Sequence, residues 1–372
     1  MLWPSIIGQE RVKRQLLDLI SAGRLAHAYL FQGDEGLGKD AVAIQLARVL
    51  HCDRGGAEAC GSCPSCLKSA KLQHPDIHFV MALPRGPNEE RKDGPMDKLS
   101  QDDVRVVREQ LGLKAANPYH TIDIPRANVI KLGSVRELRR EVTLSTSAQK
   151  RRVVIISKAE DMNDESSNAL LKTLEEPSTD TMFILTTAHP ERLLPTIRSR
   201  CHIIRFEPLT PEEIQRRLES ENLVQTGSGE LIAHLSMGSY TRAQALVQEN
   251  VSDERRRILE FVRILVGGNF VKLMSAIDEL GEKKERGNVV RFLNLMTIWF
   301  RDALVLREGG SILNIDQKTE IQGFLTKYPN ADLPSVLKEI EETVSLVERN
   351  GYIPLALVRL AIRLKRMILS RT

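Results

Sequence analysis

The chain has 372 residues, of which 42% are apolar and 27% are charged. At roughly 100–200 residues per domain, this length allows two or three globular units, and the apolar content excludes a disordered chain. The net charge is only +4, so any nucleic-acid contact requires a local basic patch rather than a general positive coat. Aromatic residues make up 4% of the chain, which favours a helix-rich protein over an all-β one.

The sequence lacks the features of a membrane or secreted protein. No stretch approaches the ~18 apolar residues that a membrane span needs. The first residues have neither the apolar core nor the cleavage site of a signal peptide. We therefore expect a cytoplasmic protein without membrane contact.

The N-terminal residues predict the opening of a nucleotide-binding domain. A helix is expected over 5–22, followed by a short buried strand in AHAYLFQG at 26–33. A glycine-rich loop then leads into a second helix over 40–50, where apolar residues return at helical spacing. Strand, glycine loop and helix in this order are typical of α/β proteins that bind nucleotides.

Residues 83–128 interrupt this pattern, since they are rich in Pro, Asn, Gly and charged residues. We interpret them as an inserted, partly mobile excursion with one short helix around 101–111. Regular alternation then resumes, with helices over 133–142, 164–175 and 191–198 and strands over 151–157, 181–187 and 202–206. Alternating strands and helices predict a parallel sheet covered on both faces.

The rest of the chain is predicted to be helical. Three short helices are expected over 208–250, the first of them capped by Thr210. From 251 to 372, apolar residues recur every three or four positions, which predicts an all-helical bundle. In the last helix Arg359, Arg363 and Arg366 share one face, which is either solvated or a contact for DNA or a partner.

The glycine loop fits the phosphate-binding pattern G-x-x-x-x-G-K from Gly33 to Lys39. Its glycines let backbone N–H groups surround phosphates, and its lysine reaches the β and γ oxygens. The next residue in the pattern is Ser or Thr, whose hydroxyl holds magnesium, but here it is Asp40. Asp40 removes this hydroxyl and adds a negative charge beside a triphosphate, so we expect a loop that binds nucleotide weakly or not at all. A carboxylate in the first helical turn is also favourable for a structural reason, because it interacts well with the helix dipole.

The second nucleotide motif is altered as well. In a working ATPase of this type, the strand after the insertion ends in a magnesium-binding Asp, usually followed by a Glu that orients water. Here the strand ends in Ser157 and Lys158. Glu160 and Asp161 follow, and we interpret them as charges in the first turn of a helix. We therefore expect that this chain does not hydrolyse ATP.

Four of the five cysteines fall within fifteen positions, in the pattern Cys52-x7-Cys60-x2-Cys63-x2-Cys66. In a cytosolic protein, thiols at this spacing favour metal binding over disulfides. Four thiolates complete a tetrahedral zinc site with no open position, so its role would be structural. An iron–sulfur cluster takes four cysteines too and is the alternative. The fifth, Cys201, is expected to be a buried small side chain.

These motifs together resemble the clamp-loader branch of the AAA+ ATPases. The matching segments are IIGQERV, AHAYLFQG, the cysteine insertion, HPD at 74–76, SSNALLKTLEEP at 166–177, FILTT at 183–187, LLPTIRSRC at 193–201 and GSYTRAQAL at 238–246. The resemblance covers residue 5 to about 248. It implies an α/β P-loop domain with a parallel sheet over 1–207, including the zinc module at 52–66, then a small helical lid over 208–250 and an all-helical collar over 251–372.

The resemblance also implies roles for individual residues. Arg200, within the motif Ser199-Arg200-Cys201, would be an arginine finger that reaches the ATP of a neighbouring subunit. Thr187 would be a polar sensor and Arg242 a lid arginine, unless both are relics with a structural role only. The implied nucleotide site is degenerate and comprises Gly33, Gly36, Gly38, Lys39, Asp40, Thr187 and Arg242.

The function implied by the resemblance is that of a stationary subunit of a bacterial clamp loader, neither a polymerase nor an active ATPase. Its partners would be the motor subunits, the delta subunit, the sliding clamp and, through the complex, primer-template DNA. One alternative is an ATP-hydrolysing motor subunit, which Asp40, Ser157 and Lys158 argue against. Another is a zinc-dependent nucleic-acid-binding protein, but the cysteine loop has one arginine and no aromatic residue.

Overall fold

The chain forms two units, one built on a β-sheet and one on helices. The computed structural model describes residues 3–90, 92–143, 151–176, 180–224, 229–248, 251–282, 286–310, 312–314, 317–348 and 351–369. The N-terminal unit comprises Met1–Glu221 and Ser236–Gln244, and the C-terminal unit comprises Asn222–Leu235 and Ala245–Thr372. The predicted division into three domains, with a separate lid over 208–250, stays a prediction.

The N-terminal unit is built on a five-stranded parallel sheet. Its strands are β1 (Ala28–Gln32), β2 (Ile77–Val80), β3 (Arg152–Ile156), β4 (Thr181–Thr187) and β5 (His202–Arg205). They pair in the order β2-β3-β4-β1-β5, and each pairing is parallel. Every residue of β3 and β4 is buried, as expected for central strands with both faces covered. The predicted parallel α/β architecture is confirmed.

Helices lie before, between and after these strands. They are α1 (Glu10–Ser21), α2 (Lys39–His51), α3 (Pro64–Ala70), α4 (Gln101–Ala116), α5 (Leu132–Thr143), α6 (Asp164–Glu175), α7 (Pro195–Arg198) and α8 (Pro211–Ser220). Capping side chains determine where several helices begin. At the start of α6, the Asn163 side chain accepts a hydrogen bond from the backbone N–H of Ser166. At α8, Thr210 and Glu213 form a complete capping box.

Two local predictions differ from the structure. Strand β2 and helix α3 were not predicted, because each is short and β2 has only four residues, two buried and two half-buried. The helix predicted over 191–198 is instead a turn over Pro190–Arg192 and the four-residue α7. Leu194 precedes Pro195 and is held in an extended conformation, which prevents a continuous helix.

The segment over 83–128 contains one helix, as predicted, and its other described residues form turns and loops. Helix α4 has 16 residues and extends well beyond the short helix predicted around 101–111. It begins at Ser100, whose hydroxyl accepts from the backbone N–H of Asp103. A small apolar core joins α4 to the residues after β2 and comprises Met81, Leu83, Val107 and Ile124.

Among the described residues of the C-terminal unit the regular secondary structure is helical, as the sequence predicts. After α9 (Gly229–Leu235) and α10 (Tyr240–Gln248) come α11 (Val251–Gly267), α12 (Phe270–Glu282), α13 (Arg286–Arg307), α14 (Lys318–Lys327), α15 (Leu333–Glu348) and α16 (Ile353–Leu369). Helix α15 packs against both α13 and α16. No helix among the described residues is long and apolar enough to cross a membrane.

The arginine face of α16 is largely engaged within the unit. Arg359 and Arg363 both bind the carboxylate of Glu339 on α15, at 3.1 and 2.7 Å. The Glu339 side chain is only 5% exposed, so its charge is compensated by two guanidinium groups. Arg359 and Arg363 therefore serve the packing of α16 on α15, whereas Arg366 is exposed.

Candidate functional site

The phosphate loop connects β1 to α2, and its own Lys39 is hydrogen-bonded to the backbone of the loop. Lys39 Nζ donates to the carbonyl oxygens of Gly33 and Asp34, each at 2.6 Å. Burial lowers the pKa of Lys39, while nearby carboxylates oppose that shift. The loop is held from outside at Gly36, whose carbonyl oxygen accepts from the backbone N–H of Tyr240 at 3.1 Å. Gly36 has φ +78°, a conformation that favours glycine.

Asp40 lies at the start of α2 with only 19% of its side chain exposed, and four groups compensate its charge. Ser157 Oγ and Thr186 Oγ1 each donate to its carboxylate at 2.7 Å. Lys114 Nζ lies 2.9 Å from Asp40 Oδ2, and the positive end of α2 adds a favourable field. Burial raises the pKa of Asp40, but the charge of Lys114 and the hydrogen bonds outweigh it and lower that pKa to about 2.

The end of β3 carries no magnesium-binding carboxylate. Ser157 is engaged with Asp40, and Lys158 Nζ lies 3.3 Å from Glu35 Oε1 in the phosphate loop. Glu160 is in the first turn of the short helix Ala159–Asp161, as interpreted from the sequence, and it is also buried and accepts from the backbone N–H of Ala188 at 2.9 Å. Its second oxygen, Oε2, is buried without a hydrogen bond among the described residues.

The two expected sensor residues occupy different positions. Thr187 is buried at the end of β4 and lines the cavity beside the phosphate loop, where its Oγ1 accepts from the backbone N–H of His189. Its neighbour Thr186, on the opposite face of the strand, is the residue that donates to Asp40. Arg242 is half-exposed, does not line the cavity, and places Nη1 3.9 Å from Met237 Sδ.

Two residues of the 83–128 segment complete this region and were not predicted from the sequence. Lys114 comes from α4, and Tyr119 follows it by five residues. The Tyr119 hydroxyl accepts from the backbone N–H of Ile7 at 2.8 Å, and its ring meets the Tyr240 ring edge-on at 5.1 Å. The remaining cavity has a volume of about 150 Å³, below the roughly 300–1,000 Å³ of typical ligand pockets.

The four clustered cysteines meet in space, between the end of α2 and the start of α3. Their sulfur atoms all lie within 4.8 Å of one another, and the sulfurs of Cys60 and Cys66 are 3.9 Å apart. Backbone N–H groups approach three of the sulfurs, those of Cys52, Cys60 and Cys63. The backbone N–H groups of Ser62 and Cys63 lower the pKa of Cys60 to about 5, which favours the metal-binding thiolate, whereas burial raises the pKa of Cys66 to about 12. The cluster can hold a metal ion.

Cys201 is separate from this cluster, as expected. It is 9% exposed and belongs to the core beneath the sheet together with Ile197. Burial raises the pKa of Cys201 to about 12, so its thiol stays protonated. Its role is to anchor the turn that carries Arg200.

Arg200 is at the rim of the N-terminal unit, with 34% of its side chain exposed. Nη2 lies 2.7 Å from Glu175 Oε1, at the end of α6, and Nη1 donates to the carbonyl oxygen of Thr196 at 2.9 Å. Because the pair is partly solvated, it contributes little to stability. These contacts hold the guanidinium in place, and it can readily exchange Glu175 for another anion.

The comparisons with known proteins identify the family. A family model described as DNA polymerase III, delta subunit, matches residues 8–210. The chain belongs to this family. The delta' subunit of DNA polymerase III from Bacillus subtilis is 29% identical over 302 residues, which cover 81% of this chain and 78% of that protein. The delta' subunit from Escherichia coli is 29% identical over 330 residues, or 88% and 83% of the two chains.

A tau subunit is matched over a smaller share of its length. The tau subunit of DNA polymerase III from Bacillus subtilis is 25% identical over 337 residues, which cover 85% of this chain but 52% of that protein. The relatives matched over most of both chains are thus delta' subunits, components of the clamp loader. The resemblance to the clamp-loader branch is confirmed at the level of the family.

The Asp40 network generates a prediction for stability. Lys114→Met removes the cation and keeps most of the side-chain volume, so the free energy of unfolding should fall by about 3–5 kcal/mol at pH 7. The pKa of Asp40 is about 2 in the folded chain and ~4 in the unfolded chain. The contribution of Asp40 is therefore complete above pH ~4 and is lost as the pH falls toward 2. Urea unfolding at several pH values measures it.

The variant should lose most stability at neutral pH, and the loss should shrink as the pH falls toward 2, where Asp40 becomes protonated in both proteins and needs no counter-ion. Asp40→Asn combined with Lys114→Met removes both charges and should recover much of the loss. Lys98→Met changes an exposed lysine of the same segment and is the matched control. A loss in Lys114→Met that is the same at every pH would contradict the assignment of Lys114 as the counter-ion.

Proposed function

We propose that the chain is the stationary delta' subunit of a cytoplasmic bacterial DNA polymerase III clamp loader, and that it supplies Arg200 to the ATP of a neighbouring subunit. The observation that carries this proposal is the Asp40 network. Where a working ATPase needs a hydroxyl and a carboxylate for magnesium, this chain has a largely buried carboxylate already bound to Lys114 and Ser157. Such a site does not assemble the cation, phosphate and water that hydrolysis needs.

The partners we propose are ATP-hydrolysing motor subunits, the delta subunit, the sliding clamp and, through the complex, primer-template DNA. A motor subunit is the second candidate, and the match to the tau subunit favours it. The contacts of Asp40, Ser157 and Lys158 oppose it, because none of these side chains is available to magnesium or to an attacking water.

We propose further that the cysteine cluster holds one structural zinc ion. Zinc–sulfur bonds of about 2.3 Å in a tetrahedron place sulfurs about 3.8 Å apart. The 3.9 Å between the Cys60 and Cys66 sulfurs agrees with that spacing. The ion would join the end of α2 to α3 and would carry no open position for catalysis.

Purified protein should contain one zinc atom per chain when no zinc is added. Cys66→Ser should lower the zinc content and destabilise the N-terminal unit, because the remaining ligands no longer close the tetrahedron. Elemental analysis and thermal unfolding with and without a chelator measure both effects. Cys201→Ser is the matched control and should leave the zinc content unchanged, since Cys201 is outside the cluster. Stoichiometric iron with a visible chromophore would contradict zinc.

The case for Arg200 as an arginine finger rests on its position and its contacts. The buried Cys201 fixes the turn, while the guanidinium remains at the rim. Its anionic contact, Glu175, is a partly solvated carboxylate that a phosphate group can replace. A planar, permanently charged group suits the charge that develops on a transferring phosphoryl group.

Arg200→Ala should leave the fold and the assembly of the complex intact but lower its ATPase and clamp-loading rates. A finger is worth ~10³–10⁵ in rate at the site that it serves. The total ATPase rate should fall less, since only one site in the complex loses its finger. The measurement compares complexes of equal assembly, judged by gel filtration, in ATP hydrolysis and in loading of the clamp onto primed DNA.

Two further variants separate the role of Arg200 from that of a surface charge. Arg200→Lys should rescue poorly, because an ammonium keeps the charge but loses the planar pair of donors. Arg198→Ala removes an exposed arginine of the same turn and should have little effect. Unchanged clamp loading in Arg200→Ala would overturn this part of the proposal.

The C-terminal unit offers a surface for assembly, in line with the proposed collar. Six exposed residues follow one another at spacings of three and four along α16: Tyr352, Leu355, Arg359, Ile362, Arg366 and Leu369. The four apolar members are 73, 67, 61 and 40% exposed, in chain order. We call these six residues the α16 seam. Exposed apolar residues at this spacing are typical of helices that pair with another helix. We assign it to the collar helices of neighbouring subunits, with an acidic residue opposite Arg366.

Ile362→Asp should prevent or weaken assembly without unfolding the chain, because it places a negative charge in the middle of an apolar seam. Gel filtration with the motor and delta subunits measures assembly, and circular dichroism checks the fold. Leu346→Asp makes the same change at a partly exposed residue of α15 and should assemble normally. Normal co-elution of Ile362→Asp would show that the seam is not part of the interface.

A further inference from the structure

Trp3, which precedes α1, contacts the loop that carries the clustered cysteines. Its Nε1 donates to the carbonyl oxygen of Ala57 at 3.0 Å, and its side chain is 0% exposed. Ala57 lies between two of the cysteines, Cys52 and Cys60. We propose that residues 53–59, which we call the clasp, keep Trp3 buried only while the cysteine cluster holds its metal ion. The clasp rests on the proposed zinc site and gives that site a second role, beyond joining α2 to α3.

The conformation of the clasp depends on the cysteines at its two ends. Residues 53–58 are all exposed, so burial of apolar surface contributes little to their conformation. The backbone N–H groups of Asp53 and Cys60 donate to the sulfurs of Cys63 and Cys52, at 3.4 and 3.3 Å. A metal site is rarely preformed without its ion, because the ligands are ordered by binding it. Removal of the ion should therefore move the sulfurs and, with them, the ends of the clasp.

Contacts that do not involve sulfur anchor the end of the clasp that is farther from Ala57. The Asp53 carboxylate accepts from the hydroxyl and the backbone N–H of Ser65, at 2.8 and 3.3 Å. Two glycines at φ +66° and +104°, Gly55 and Gly56, separate Asp53 from Ala57. A glycine pair transmits little constraint, because it allows many backbone conformations. The carbonyl group of Ala57 is therefore positioned mainly from the Cys60 end, where the anchor is a ligand of the cluster.

Trp3 depends on the clasp because its indole N–H needs an acceptor. A buried donor that loses its acceptor costs free energy unless water replaces the lost partner. Trp3 also has φ +50°, which is an unfavourable backbone conformation for a bulky residue and must be maintained by its contacts. If the clasp loosens, water should take the place of the Ala57 carbonyl oxygen, and the indole should become accessible from solvent.

The residues between Trp3 and α1 are anchored independently of the cysteines. Lys13 Nζ donates to the carbonyl oxygen of Ile6 at 2.9 Å, and the backbone N–H of Ile7 donates to the Tyr119 hydroxyl at 2.8 Å. Lys13 and Tyr119 are both outside the cysteine loop, so these contacts do not require the metal ion. Loss of the ion should therefore free Trp3 while α1 and the residues next to it stay in place.

Tryptophan fluorescence of the full-length chain tests the clasp. Trp3 and Trp299 are the two tryptophans, so Trp299→Phe leaves Trp3 as the single reporter. Removal of zinc with a chelator should raise the quenching of Trp3 by acrylamide several-fold, and added zinc should reverse the change. Circular dichroism checks that the chain stays folded. The matched control is Trp3→Phe, in which Trp299 reports from the C-terminal unit and its quenching should not respond to zinc.

The affinity for zinc gives a second, reciprocal test. Coupling between two sites is equal in both directions, so if zinc keeps Trp3 buried, then Trp3 strengthens the binding of zinc. Trp3→Ala should weaken zinc binding by about tenfold in competition with a chromophoric chelator, a value within the usual range of such coupling. Trp3→Phe keeps an aromatic ring but has no N–H donor, so its loss should be smaller but measurable. Trp299→Phe should bind zinc as wild type does. If Trp3→Ala does not fold, Trp3→Phe decides.

Two outcomes would overturn the clasp and leave the zinc site intact. One is a zinc-containing chain in which the quenching of Trp3 does not change when zinc is removed. The other is a folded Trp3→Ala or Trp3→Phe variant that binds zinc as tightly as wild type. A purified chain that neither contains nor binds zinc would overturn the zinc site and the clasp together, and elemental analysis identifies that case before any fluorescence is measured.

Discussion

The largely buried ion pair between Asp40 and Lys114 is the interaction on which the phosphate-loop region depends. A carboxylate inside a protein is costly unless a cation and hydrogen-bond donors compensate it. Lys114 can provide that charge only because α4 is folded and packed on the residues after β2. The inserted segment, the start of α2 and the ends of β3 and β4 are therefore parts of one cooperative structure, joined through a single side chain.

The features with a proposed function lie outside the phosphate-loop region. Arg200 is at the rim, on a turn that the buried Cys201 secures, and its contacts are weak enough to be exchanged. The cysteine cluster is confined to the loop between α2 and α3, and the exposed seam of α16 belongs to the other unit. This separation is consistent with a subunit whose chemistry acts on its neighbours rather than on a ligand of its own.

The sequence predicted the parallel sheet, the helical C-terminal part and the cysteine cluster, because each depends on local periodicity or spacing. It did not predict β2, whose four residues are too few for a pattern. Thr187 lines the cavity beside the phosphate loop, but the sequence did not predict that its neighbour Thr186 binds Asp40, because that contact depends on how β4 packs against α2. Lys114 and Tyr119 were missed because their partners are more than seventy residues away in sequence, and no local signal marks such contacts.

The closed phosphate loop has a consequence for the behaviour of the whole machine. Motor proteins change shape when ATP is exchanged for ADP, because the cation and the terminal phosphate come and go. Lys114 is covalently part of this chain and cannot leave. We therefore propose that the N-terminal unit keeps one shape while its neighbours pass through their nucleotide cycle, as a stationary subunit requires.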